Sequence, residues 1–105
     1  DVIGKVDKFL NEGDTFKIGS IEIKCIHTPG HTPGGICFMV EDVVFTGDTL
    51  FAGSIGRTDL AGGDFDAIIS NIKNKLMILP DNITVLPGHG PQSSIGRERV
   101  HNPFL

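Results

Sequence analysis

Ile36-Cys37-Phe38-Met39-Val40-Glu41-Asp42-Val43-Val44-Phe45-Thr46-Gly47-Asp48 is the stretch that decides how this chain folds. Two short apolar runs flank an acidic pair. Runs of this length, rich in β-branched and aromatic residues, read as strands buried on both faces or nearly so, and Glu41-Asp42 reads as the turn between them. The second run stops at Gly47 and presents a carboxylate, Asp48, directly after it.

Upstream, Ile21, Ile23 and Cys25 alternate with Glu22 and Lys24, the period of two that marks a half-buried strand. Gly19-Ser20 joins it to a preceding strand near residues 15–18, which polar residues 8–14 introduce through a turn at 11–14. Downstream the period changes. Phe65, Ile68, Ile69, Ile72, Leu76 and Leu79 recur at helical spacing, with Asp66, Asn71, Lys73 and Lys75 on the opposite face. Asp64 is placed to cap this helix and Pro80 to stop it. A strand at 83–86 and a short helix at 94–102 complete the order β-β-β-β-α-β-α, a mixed α/β (α+β) chain without repeats or linkers.

The 105 residues carry nine Lys and Arg against thirteen Asp and Glu, a net charge of −4. This is enough chain for one domain. With scattered cations and an acidic balance, the sequence lacks the basic face that a nucleic-acid partner requires. Apolar runs stay well short of the roughly 18 residues of a membrane span, and the first residues lack the features of a secretion signal. Cys25 and Cys37 each lie in an apolar stretch and read as buried thiols of a reducing compartment, so a cytoplasmic location is expected.

Chemistry gathers in three loops at strand ends. His27-Thr28-Pro29-Gly30-His31-Thr32-Pro33-Gly34-Gly35 has two Pro-Gly pairs that exclude regular structure, with His31 at its centre. Phe45-Thr46-Gly47-Asp48-Thr49-Leu50-Phe51 offers Asp48, and Pro87-Gly88-His89-Gly90 offers His89. Imidazole and carboxylate are ligands for Zn²⁺, Fe²⁺ and Mn²⁺. Each alone is an ordinary turn residue. Together they gain weight, because strand ends are where such sheets place their sites. Their distance along the chain excludes a local zinc-finger pattern. His27, at the end of a strand, suits a hydrogen-bonding role behind the ligands or none. His101 sits among Arg97, Glu98 and Arg99 on what reads as a solvated helix face. Gly53-Ser54-Ile55-Gly56 matches no phosphate-binding spacing, and no serine has a nucleophile-elbow context.

The three strings above, with Gly56-Arg57-Thr58-Asp59-Leu60 and Leu86-Pro87-Gly88-His89-Gly90-Pro91, resemble in order and spacing the C-terminal half of a metallo-β-lactamase-fold hydrolase of the glyoxalase II-like (hydroxyacylglutathione hydrolase-like) branch. The ending Ile95-Gly96-Arg97-Glu98-Arg99-Val100-His101-Asn102-Pro103-Phe104-Leu105 resembles compact members without an added glutathione-binding domain. The resemblance implies an αββα sandwich with two divalent metal ions, zinc foremost and iron or manganese as alternatives. It implies His31 on the first ion, His89 on the second, and Asp48 bridging both and hydrogen-bonding the attacking hydroxide. Arg57 falls where such enzymes place a basic residue that contacts the substrate's carboxylate or peptide backbone; a salt bridge to Asp59 or Asp64 is the structural alternative. The reaction implied is hydrolysis of S-acylglutathione-like thioesters by a metal-bound hydroxide.

One departure is large. The family's His-x-His-x-Asp-His string, which supplies the other ligands, does not occur in this sequence. Residues 1–105 are therefore expected to form one half of the domain, inactive alone, with an uncovered sheet face through which the chain could self-associate. An iron-dependent persulfide dioxygenase shares the Gly-Asp and Gly-Arg-Thr-Asp strings and is the rival enzyme. A catalytically silent half-domain is the non-enzyme alternative.

Overall fold

The computed structural model describes residues 15–31, 34–59 and 62–105. The turn expected at 11–14 lies outside them. Strands β1 (Thr15–Ile18), β2 (Ile21–His27), β3 (Ile36–Val40) and β4 (Val43–Gly47) form an antiparallel meander in the expected order. After a small ribbon, β5 (Leu50–Phe51) and β6 (Ser54–Ile55), the chain enters helix α1 (Phe65–Asn71), which continues as a π-helical turn over Ile72–Leu76. β7 (Thr84–Pro87) then pairs parallel to β4, β8 (Ser93–Ser94) returns antiparallel to it, and α2 (Ile95–His101) follows. The main sheet has the order β1-β2-β3-β4-β7-β8.

The β1–β2 and β3–β4 hairpins turn in two residues. Gly19 takes φ 64° in one, as a tight hairpin demands, and Glu41 takes φ 54° in the other, unusual for a residue with a Cβ. Side chains alternate across the pleat. Ile26, Cys37, Val44 and Val85 face the helices and form one core with Ile68, Ile72, Leu76, Ile83 and Ile95. Ile23, Phe38, Phe45 and Leu86 occupy the other face, as their cross-strand partners require. β4 is thus not buried on both faces: Val44 is sealed, whereas Phe45 is 43% exposed. Cys25 and Cys37 are fully buried thiols on opposite faces of adjacent strands, a placement that rules out a disulfide between them.

The helix expected from residue 65 to 79 is shorter and changes its winding. Ile68, Ile72 and Leu76 are spaced by four, so on an α-helix each would drift about 40° from the one before. Widening the turn, with the Met77 N–H bonded to the Ile72 carbonyl at 2.9 Å, keeps all three fully buried. Asp64 caps the helix as expected, its side chain accepting from the Ala67 N–H at 3.0 Å.

Candidate metal centre

Strands β2, β4 and β7 run in the same direction, because β2 and β4 are each antiparallel to β3 and β7 is parallel to β4. The loops that leave their C-terminal ends share one rim of the sheet, and they carry His31, Asp48 and His89. This topology brings together three residues that the sequence keeps far apart.

Each loop is tied down by its neighbours. Asp48 sits in a turn closed by the Thr49 N–H on the Thr46 carbonyl at 2.8 Å. Below it, buried Thr28, Thr49 and Cys37 share hydroxyl and thiol contacts at 3.1 and 3.2 Å, and the Thr46 hydroxyl donates to the Leu50 carbonyl at 2.7 Å. The β7 loop is held by the Gly88 N–H on the Gly47 carbonyl at 2.8 Å. The His31 loop rests on α1: the Asp64 N–H donates to the Gly30 carbonyl at 2.7 Å and Asn71 Nδ2 to the Pro29 carbonyl at 2.9 Å. A Cβ on Gly30 would stand 2.3 Å from that of Ile68, so only glycine permits this approach.

Asp48 is flanked by both imidazoles. His31 Nε2 lies 3.9 Å from Oδ2 and His89 Nε2 lies 3.7 Å from Oδ1. The other nitrogen of His31, Nδ1, is 2.8 Å from the Arg57 carbonyl. A carbonyl only accepts, so Nδ1 carries a proton, and in that tautomer of the imidazole it is Nε2 whose lone pair is turned toward Asp48. Two acceptors facing one another beyond hydrogen-bond distance leave room for a cation between them. Ligand atoms about 2.1 Å from a shared tetrahedral ion stand about 3.4 Å apart, so a small closure of either pair accommodates one. The donor set therefore fits divalent metals. Among the described residues, no three His, Cys, Asp or Glu side chains close round a single ion. The arrangement is two imidazole–carboxylate pairs that share Asp48.

His89 is largely exposed, and its ring stacks on Phe51 with centroids 6.3 Å apart and planes 8° from parallel. Arg57 lines the same cleft of about 400 Å³, with Ser54, Ile55 and Gly56. Its Nε and Nη2 grip Asp59 at 2.8 and 3.0 Å. The hydrogen bond from Arg57 holds the Asp59 carboxyl below its ordinary range, and the same bond raises the guanidinium. His27 is not among the cleft residues; it ends β2, where its carbonyl accepts from Lys75 Nζ at 2.8 Å.

Sequence reasoning missed three contributors. Gly56 packs against both ligand loops, for a Cβ there would meet the Asp48 carbonyl oxygen at 1.9 Å and His31 Cβ at 3.1 Å. Phe51 was legible as the apolar residue two past Thr49, with nothing to mark it as a ring partner. Glu98 does not lie on a solvated face; it is 1% exposed, because α2 turns it inward with Ile95.

Residues 1–89 match the model of the metallo-beta-lactamase superfamily. Hydroxyacylglutathione hydrolase GloC of Haemophilus influenzae is 46% identical over 94% of this chain and 48% of its own length. Among solved structures, the BLEG-1 B3 metallo-beta-lactamase superposes with a TM-score of 0.87 and 46% identity, over 92% of this chain and 47% of that one. ETHE1 from Myxococcus xanthus gives 0.86 and 36%, over 90% and 44%. TTHA1623 in a di-iron-bound form gives 0.80 and 42%, over 91% and 47%. The chain spans about half the length of the relatives it matches. Its strand-end loops, its mixed sheet-and-helix fold and this likeness agree: the chain belongs to the metallo-beta-lactamase superfamily.

Proposed function

We propose that this chain supplies one half of a two-metal hydrolase of the glyoxalase II-like type, acting on S-acylglutathione-like thioesters in the cytoplasm. The observation that carries the reading is a single carboxylate whose two oxygens each face a different imidazole nitrogen. His31 and Asp48 Oδ2 would hold one divalent ion, His89 and Asp48 Oδ1 the other, zinc being the first choice. When bound, such ions activate water near neutral pH and polarise the carbonyl under attack. Asp48 fixes their separation and can accept a proton-bearing hydrogen bond from the nucleophile. The Arg57 carbonyl keeps His31 in the tautomer that ligates through Nε2. Arg57 itself, with Nη1 outside its pair to Asp59, binds the substrate's carboxylate or peptide backbone. The remaining ligands come from a preceding segment with the His-x-His-x-Asp-His string, so residues 1–105 alone are inactive. The name of the Haemophilus influenzae relative supports the substrate class, and the half-length match to it supports the division.

Hydrolysis of an S-acylglutathione by the full-length gene product, with and without Asp48→Ala, tests this. Turnover that the substitution abolishes, together with loss of one metal equivalent, is expected. Normal turnover by the variant refutes the assignment of Asp48. Oxygen uptake on glutathione persulfide, or hydrolysis of a β-lactam in place of the thioester, overturns the substrate class.

A further inference from the structure

Behind the cleft, Glu98 joins the β5–β6 ribbon to β8. Its Oε1 accepts the Gly53 N–H at 2.9 Å, at the tip of the β5–β6 ribbon, and its Oε2 accepts the Ser93 hydroxyl in β8. Asn102, one turn on, donates through Nδ2 to Glu98 Oε1 at 2.9 Å and to the Ser54 carbonyl at 3.0 Å. Both side chains are buried. The ribbon carries Phe51, which stacks on His89, while Ser93 pairs with Val85 across the strands that enter and leave the His89 loop. Glu98 therefore fastens the ring that supports His89 to the return strand of the loop that bears it. A carboxylate costs free energy to bury and is retained only where its acceptors are filled, as they are here.

We propose that Glu98 is a positioning residue: through the Phe51 ribbon it fixes the orientation of the exposed His89 imidazole and so tunes one half-site of the metal centre. This rests on the metal reading above for its consequence, though not for its geometry. Outer partners of a ligand typically change metal affinity by about 10–100-fold. Glu98 acts at one remove, so about tenfold is expected, confined to the ion on His89.

The experiment uses the full-length gene product. In the metal-free protein, the ring-current displacement of the His89 imidazole protons is measured by NMR, with His89→Gln giving the assignment. Glu98→Ala is expected to reduce that displacement as far as Phe51→Leu does, and Glu98→Gln, which keeps an acceptor for Gly53 and Asn102, to preserve it. Zinc competition against a chelator is expected to show one ion weakened about tenfold by Glu98→Ala and the other unchanged. The double variant should be no weaker than Phe51→Leu alone. If Glu98→Ala does not fold, Asn102→Ala, which releases the Ser54 carbonyl, takes its place with the same expected outcomes. A folded variant that keeps the displacement, losses that add in full, or equal weakening of both ions overturns the proposal. Should the parent protein bind no zinc, the metal reading falls, and the His89 displacement still decides the role of Glu98.

Discussion

Gly56 shows how one missing side chain shapes a site. Its backbone N–H donates to the Thr49 carbonyl at 2.9 Å, and its α-carbon lies so close to Asp48 and His31 that any Cβ forces both loops apart. Gly56→Ala is expected to leave the sheet folded and to lower kcat/KM of the full-length protein by about two orders of magnitude, the scale of a misplacement near 1 Å. Steady-state kinetics alongside a thermal melt would separate the two effects. The candidate residues themselves were legible in the sequence, since His31, Asp48 and His89 each follow a strand in a loop that glycine and proline make irregular. Their supports were not. The Arg57 carbonyl that orients His31 is a backbone atom, invisible to any reading of residue types. Glu98 stands between two arginines, a neighbourhood that signals solvent, and only the rotation of α2 against β7 and β8 turns it inward.

Among the elements, β2 follows from its alternation, β3 and β4 from their apolar runs, β1 from the turns that flank it and the capped helix from its helical spacing, and the helix departs from expectation where that spacing does. Residues four apart favour a wider turn than the α-helix provides, and burial of Ile72 and Leu76 stabilises that turn against its poorer hydrogen bonding. Leu76 is fully buried where the π-helical turn meets the sheet. Leu76→Ala is expected to destabilise the folded protein by about 2–5 kcal/mol, read from chemical denaturation with an unchanged slope. A loss below 1 kcal/mol would mean that this turn is not part of the cooperative core. The expected strand at 83–86 is β7, whereas β5, β6 and β8 escaped the sequence reading because two-residue strands are too short to carry an alternation. Their pairing is set by the hydrogen bonds of the loops around them.

At the scale of the whole molecule, one face of the sheet is closed by helices and the other keeps apolar side chains in solvent. Ile18 is 57% exposed, Ile21 46% and Phe45 43%. Among the described residues, no helix is long and apolar enough to cross a membrane. Residues 1–105 expressed alone are expected to self-associate through the exposed face, giving a sedimentation coefficient that rises with concentration; a monomer at all concentrations would count against this. The parallel pairing of β4 with β7 is what brings Asp48 beside His89, and the central claim is that the shared carboxylate holds two ions. The direct measurement is an anomalous-diffraction map of the zinc-loaded, full-length protein. Two peaks are predicted, one between Asp48 Oδ2 and His31 Nε2 and one between Asp48 Oδ1 and His89 Nε2. A map in which all three side chains are ordered and no peak touches Asp48 would contradict the account.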